Sequence, residues 1–134
     1  MKKFVSLALT FSLSSVFSMA AMAGTPTVSE SGNFEQRSGE DIFNSICQGC
    51  HMEQGKGANT GAGFYPALAG NPSLTAPAYP IFVLLNGLGG MPSFKEYLSD
   101  EQILEVVNYI RSDKLGNSFP TQATMDDVKA LSGR

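Results

Sequence analysis

The chain has 134 residues, of which 43% are hydrophobic and 16% charged, and its formal net charge is −3. Two cysteines exclude a disulfide-rich scaffold, and a net negative charge argues against nonspecific binding of nucleic acid through a basic face. One histidine and two cysteines leave a closed tetrahedral zinc site one soft ligand short. The length predicts a single domain.

The first 23 residues have the organisation of an export signal. Lys2 and Lys3 form a positive start, an uncharged apolar and serine-containing stretch covers residues 4–17, and residues 21–23 (Ala-Met-Ala) provide the small side chains at which a signal peptidase cleaves. A membrane anchor is the alternative, but serines interrupt the apolar run, so we expect cleavage after residue 23. The remaining 111 residues carry a net charge of −5 and contain no segment long enough to span a bilayer.

A short leader precedes the predicted domain. Residues 24–37 lack hydrophobic periodicity and are expected to be flexible, so the domain is placed at residues 38–134. Ser38 is a good N-cap, and the apolar spacing after it predicts a helix from about Gly39 to Cys47. Residues 52–72 are rich in glycine and proline and are predicted to form loop rather than strand.

Further helices are predicted in the second half of the chain. One runs from about Ala78 to Asn86, with Pro80 in its first turn, where a missing N–H is tolerated. The clearest begins at Ser99, which forms a capping box with Gln102. A last one covers residues 124–131. No run alternates between apolar and polar residues, so the sequence predicts an all-α domain of short helices joined by long glycine-rich loops.

Cys47-Gln48-Gly49-Cys50-His51 is the C-x-x-C-H signature of covalent haem c attachment. Two thiols at this spacing can form thioethers with the two vinyl groups of one haem, and the histidine that follows can bind its iron. A disulfide or thioredoxin-like redox pair would use the same two cysteines. That alternative predicts strands on either side of a helix, which the sequence lacks, so we expect haem c as the cofactor, with its iron bound by His51.

A methionine is the expected ligand on the opposite face, because the chain has no second histidine. Met52 is adjacent to His51 and cannot reach that face, whereas Met91 lies in Gly89-Gly90-Met91-Pro92, where glycines permit close approach and proline fixes the chain. A buried methionine of the core is the alternative. Ligation by His51 and Met91 would leave no open coordination site, which is typical of an electron carrier.

The segment from Ser38 to Ser112 resembles a class I monohaem cytochrome c. The residues that carry the resemblance are the C-x-x-C-H motif, the loop 65–70 (Tyr-Pro-Ala-Leu-Ala-Gly), residues 90–94 (Gly-Met-Pro-Ser-Phe) and the helix 98–111. The resemblance implies the class I cytochrome c fold, with helices and loops wrapped around one covalently bound haem.

The resemblance also implies roles for individual residues. The Pro66 carbonyl should accept a hydrogen bond from His51 Nδ1–H, and Leu68 should pack on the haem. Gly39 and Phe43 match the positions at which the first helix crosses the last, so Tyr109 should pack there. The tryptophan that usually lies near a haem propionate is absent, which leaves three tyrosines as candidates for that position: Tyr65, Tyr79 and Tyr97.

The loops at 64–72 and 80–92 are similar to those of cytochrome subunits that accept electrons from periplasmic dehydrogenases. Many such subunits carry several haems, whereas this chain has one C-x-x-C-H motif. The sequence therefore predicts an electron-transfer protein rather than an enzyme, exported to the periplasm, either as a free carrier or as the electron-accepting subunit of a dehydrogenase. It would accept electrons from a dehydrogenase and pass them to an oxidase or another cytochrome. A haem peroxidase or gas-binding protein with a displaceable Met91 is the alternative.

Overall fold

The computed structural model describes Val28, residues 32–60 and residues 63–134. The predicted export signal at residues 1–23 lies outside the described residues, as do positions 24–27 and 29–31 of the predicted leader. Within the part of the chain that is described, no helix is long and apolar enough to cross a membrane.

The first helical run is longer than predicted. It consists of α1 (Gly39–Ile42), a π-helical segment (Phe43–Cys47) and α2 (Gln48–His51). Ser38 is the N-cap, and its Oγ accepts a hydrogen bond from the Asp41 N–H at 3.1 Å. The run continues four residues past the predicted end and therefore carries the whole C-x-x-C-H motif.

The other predicted helices are confirmed. They are α3 (Ala78–Asn86), α4 (Asp100–Ile110) and α5 (Met125–Ser132). The predicted capping box of α4 is present: the Gln102 N–H donates to Ser99 Oγ at 3.2 Å, and the Ser99 N–H donates to Gln102 Oε1 at 2.8 Å. Single 3-10 turns occur at Glu53–Gly55, Pro72–Leu74 and Asp113–Leu115.

The all-α prediction is wrong for one part of the glycine-rich region. Strands β1 (Ala58–Thr60) and β2 (Gly63–Tyr65) form a small antiparallel sheet in which Ala58 pairs with Tyr65. Each strand has only three residues, too few for an alternating pattern to be recognised among glycines. Apart from these strands, the described part of the glycine-rich region 52–72 consists of short turns and loop, as predicted.

Helices α1 and α4 cross at Gly39. A Cβ atom at this position would overlap the Glu105 carbonyl oxygen and lie 2.7 Å from Tyr109 Cβ. Beside this contact the rings of Phe43 and Tyr109 pack with their centroids 5.6 Å apart. The expected crossing of α1 and α4, with Tyr109 packed against it, is confirmed.

One hydrophobic core joins the helices. Its fully buried members come from every major helical element, and they include Ile42, Phe43, Ile81, Ile103, Val106, Val107 and Val128. The crossing of α1 and α4 fixes the helical run that ends at His51 against this core.

Gly39→Ala should destabilise the protein because the added methyl group has no space between α1 and the backbone of α4. We expect a loss of about 1–3 kcal/mol in the free energy of unfolding, the usual cost of overpacking. Gly49→Ala is the matched control, because Gly49 is also helical and a Cβ there meets no atom within 4 Å. Guanidinium unfolding of the haem-loaded protein measures both variants, and equal stabilities would contradict the close approach at Gly39.

Candidate haem site

The C-x-x-C-H motif occupies the end of the first helical run. Cys47 ends the π-helical segment, and Cys50 and His51 lie in the last turn of α2. The two cysteines are free thiols, Cys50 exposed and Cys47 partly buried against the core. His51 is only 8% exposed. One short helix thus presents two thiols and a buried imidazole.

His51 is oriented by the backbone of a distant loop. Its Nδ1 lies 2.9 Å from the Pro66 carbonyl oxygen, the contact that the family resemblance implies. A carbonyl can only accept, so Nδ1 carries a proton, which leaves Nε2 as the nitrogen that can bind a metal. Such a hydrogen bond fixes the tautomer and the ring orientation of a histidine that binds a metal.

The Cys47 thiol is poorly suited to redox exchange. Burial and, to a lesser extent, the neighbouring Cys50 raise its pKa to about 12. The thiolate is the nucleophile in thiol–disulfide exchange, and redox-active cysteines have lowered pKa values in electropositive surroundings. The environment of Cys47 is the opposite of this, which argues against a thioredoxin-like function.

The turn after His51 is tightly packed on the Pro66 loop. Gly57 has a φ of +67°, and a Cβ on it would lie 2.5 Å from both the Tyr65 carbonyl oxygen and the Ala67 nitrogen. The Gly57 N–H also donates to the His51 carbonyl oxygen at 2.8 Å. Tyr65 and Ala67, the residues on either side of Pro66, therefore lie close to Gly57, which itself bonds to His51.

Met52 adopts an unusual backbone conformation directly after His51. Its φ of +64° and ψ of +166° fall in a region populated almost only by glycine. Strain of this kind costs about 1–3 kcal/mol and persists only where the surrounding structure imposes it. The chain is thus forced to turn sharply as it leaves the histidine.

Met91 lies in a loop whose backbone is fixed on both sides. Leu88 and Met91 exchange two backbone hydrogen bonds, of 3.1 and 3.0 Å. Farther along, Ser93 Oγ donates to the Leu85 carbonyl oxygen at 2.6 Å, and the Phe94 N–H donates to a carbonyl of α3 at 2.8 Å. The first pair of bonds closes the loop on itself up to the methionine, and the other two join the loop to the end of α3 after it.

Several of the predicted site residues border the hydrophobic core. Cys47, Leu68 and Met91 are each partly buried and pack against the same hydrophobic cluster. His51 and Pro66 are joined by their hydrogen bond. The three tyrosines considered as substitutes for tryptophan are all exposed: Tyr65, Tyr79 and Tyr97.

Two residues near this site were missed as functional candidates by sequence reasoning. Arg111 is 2% exposed and donates to the Leu74 and Thr75 carbonyl oxygens at 2.8 and 2.9 Å. Its guanidinium carbon lies 5.5 Å from the centre of the Phe119 ring. Asn117, in a Gly-Asn pair typical of a turn, is also buried. No local signal distinguishes either residue from a surface polar residue, because their partners are distant in sequence.

Comparison with known proteins identifies the family of the chain. Residues 34–110 match the family model described as cytochrome C oxidase, cbb3-type, subunit III. The chain is 30% identical over 106 residues to the cytochrome c subunit of alcohol dehydrogenase (quinone) of Gluconobacter oxydans. The matched region is 69% of this chain and 21% of that subunit. It is 30% identical over 108 residues to the gluconate 2-dehydrogenase cytochrome c subunit of Pantoea cypripedii, covering 72% of this chain and 24% of that protein.

A shorter relative matches over most of its own length. Cytochrome c6 of Leptolyngbya boryana is 37% identical over 73 residues, which is 54% of this chain and 85% of that protein. By contrast, the chain spans only about a fifth to a quarter of the length of the dehydrogenase subunits named above.

The fold, the motif and these matches define a c-type cytochrome domain. The chain belongs to the cytochrome c family that the cbb3-type subunit III model describes. Its cofactor is covalently bound haem c with iron, and its relatives are electron-transfer cytochromes rather than catalytic subunits.

The residues present fit this cofactor. Two free thiols and an imidazole with an available Nε2 lie together on one helix, and apolar side chains of Leu68, Met91 and Phe94 border the same core. Thiols for covalent attachment, a nitrogen donor and an apolar lining are the groups that a c-type haem requires.

Gly87→Ala should displace the Met91 loop. Gly87 has a φ of +73°, and a Cβ there would lie 2.5 Å from the Met91 carbonyl oxygen. Gly89→Ala is the control, because Gly89 has a φ of +59° but no atom within 4 Å of an added Cβ. We expect Gly87→Ala to lose about 1–3 kcal/mol more unfolding free energy than Gly89→Ala, measured by chemical denaturation. Equal losses would show that only the backbone conformation, and not the contact with Met91, matters.

Proposed function

We propose that this protein is a periplasmic monohaem cytochrome of the class I fold that shuttles single electrons between redox proteins. In this proposal residues 1–23 direct export and are removed, and residues 38–134 form the haem-binding domain after the leader at 24–37. Export fits the chemistry, because haem c is attached to the chain outside the cytoplasm.

We assign the haem-binding roles to six residues. Cys47 and Cys50 carry the thioether bonds, His51 binds the iron through Nε2, and Pro66 orients His51. Leu68 packs on the haem, and Met91 binds the iron on the other face. The hydrogen bond of His51 to Pro66 and the shared packing of Cys47, Leu68 and Met91 support this assignment.

The fixed backbone around Met91 is the observation that favours electron transfer over gas binding or peroxidase activity. The loop is bonded to itself at Leu88 and to α3 through Ser93. A loop held on both sides keeps its side chain in place in both oxidation states, whereas a gas-binding or peroxidase site requires the sixth ligand to leave. When bound, haem iron supplies a one-electron couple, and histidine–methionine ligation raises its potential.

The relatives support a dehydrogenase as the electron donor. Cytochrome subunits of alcohol and gluconate dehydrogenases resemble this chain, although it matches only a part of each. We therefore propose that a periplasmic dehydrogenase reduces this protein. An oxidase or another cytochrome then reoxidises it.

Met91→Ala tests the ligand and the function together. The oxidised native protein should show a low-spin haem spectrum with the weak red band of methionine–iron ligation, and the variant should lose this band and have a lower potential. Met125→Ala is the matched control, since Met125 is another partly buried methionine at the edge of the core. Visible spectroscopy and a redox titration measure both properties.

The outcome also separates electron transfer from the alternative function. Slow binding of carbon monoxide by the reduced native protein and rapid binding by Met91→Ala support a carrier whose sixth site is closed. Rapid binding by the native protein, or a red band that survives in Met91→Ala, contradicts the assignment and favours a gas-binding or peroxidase role.

The proposed donor can be tested with the periplasmic fraction of the source cells. Addition of an alcohol, an aldehyde or a sugar acid should reduce the added oxidised protein, followed by the visible band of ferrous haem. A heat-treated fraction is the control for chemical reduction. If none of these substrates reduces the protein while a chemical donor does, a dehydrogenase of this class is not its donor.

A further inference from the structure

Asn117 is a buried polar residue that follows α4. A single 3-10 turn, Asp113–Leu115, ends at Gly116 with a φ of +69°, and the Asn117 N–H then donates to the Ser112 carbonyl oxygen at 3.0 Å. Asn117 is only 3% exposed. The polar atoms of its side-chain amide therefore need partners within the protein.

Both polar atoms of that amide have such partners. Nδ2 donates to the Ile110 carbonyl oxygen at 2.6 Å and to the Leu68 carbonyl oxygen at 2.8 Å. Oδ1 accepts a hydrogen bond from the Asn71 N–H at 3.1 Å. One bond thus closes the end of α4, and the other two connect it to a segment more than 40 residues earlier in the chain.

That segment, residues 66–71, is held from two directions. On one side the Gly55 carbonyl oxygen accepts two of its N–H groups, at 2.7 and 2.9 Å. On the other side it is held by Asn117. Within it, Asn71 Nδ2 donates to the Ala67 carbonyl oxygen at 2.7 Å. The segment begins with Pro66, the acceptor for His51.

We propose that Asn117 is a positioning residue for His51. Its hydrogen bonds to the backbone of Leu68 and Asn71 hold the segment 66–71 in place and so fix the Pro66 carbonyl against the imidazole. Asn117 does not contact His51 itself. The inference rests on the proposed function, in which His51 binds the haem iron.

The strength of the His51–Pro66 hydrogen bond determines how this role can be measured. A strong bond at Nδ1 makes the imidazole a more basic ligand and favours oxidised iron. Loosening the Pro66 carbonyl weakens that bond, so the reduction potential should rise. The Nδ1 proton of His51 should also exchange faster with solvent.

Asn108 provides a matched control within the same region. Its side chain likewise bridges α4 to distant backbone, with Nδ2 donating to the Ala123 carbonyl oxygen at 3.2 Å and Oδ1 accepting from the Ala123 N–H at 2.8 Å. These bonds hold the segment before α5 and do not reach residues 66–71. Asn108→Ala therefore removes comparable hydrogen bonds without disturbing Pro66.

The experiment compares Asn117→Ala, Asn71→Ala and Asn108→Ala in the haem-loaded protein. We expect Asn117→Ala to raise the midpoint potential and to speed exchange of the His51 Nδ1 proton by roughly two- to tenfold, the factor for one net hydrogen bond. Asn71→Ala removes one hydrogen bond within the segment, at a less buried position, and should change the potential and the exchange rate in the same direction by less. Asn108→Ala should lower stability alone. Redox titration, proton NMR of the reduced state and guanidinium unfolding provide the readouts.

Each outcome bears on the proposal. If Asn117→Ala lowers stability as Asn108→Ala does but leaves potential and proton exchange unchanged, Asn117 has only a structural role. If Asn117→Ala does not fold, Asn117→Ser decides, because the smaller hydroxyl stays polar but cannot bridge the Asn71 N–H and the Leu68 carbonyl together, and no shift there overturns the proposal. The native spectrum distinguishes failure of the proposed function from failure of this inference. If the native protein lacks the methionine–iron band, the ligand assignment fails. If the band is present but the potential and the proton exchange are unchanged in the variants, only the role of Asn117 is rejected.

Discussion

The close approach of two helix backbones at Gly39 is the constraint on which the site depends. Because this residue has no Cβ, α1 lies directly on the Glu105 carbonyl of α4. The helical run that starts there is uninterrupted as far as His51, so the position of the crossing determines where the cysteines and the histidine lie. A wider separation would shift the whole motif away from the core. The packing of Phe43 on Tyr109 reinforces the same contact.

The loop opposite His51 depends on a different kind of support. Residues 66–75 contain only one 3-10 turn, so their backbone groups cannot satisfy each other as in a helix. Two buried side chains from the end of α4 and the turn after it provide the missing partners. Asn117 bonds the first half of the loop, and Arg111 donates to the Leu74 and Thr75 carbonyl oxygens. The C-terminal part of the domain thus shapes the region that orients the histidine.

Sequence reasoning recovered the features whose signals are local. The capping box at Ser99, the boundaries of α3 and the C-x-x-C-H motif are each contained within a few residues, and α3 and α4 formed as predicted. The two short strands and the buried state of Arg111 were not found, because both depend on partners that the local pattern does not contain. The contact of His51 with Pro66 came from the family resemblance alone.

The π-helical segment between α1 and α2 fits one extra residue into the run that joins the helix crossing to the motif. In this segment the Gln48 N–H bonds to the Phe43 carbonyl, one residue farther back than in an α-helix. Each α-helical residue turns the chain by about 100°. Deleting one residue between the crossing and Cys47 would restore regular α-helical bonding there with little rotation of the cysteines and His51 relative to Gly39, because the wide turn absorbs the extra residue. Deleting a second residue would turn them by about 100°. The run can therefore lose one residue here, but not two, without moving the motif.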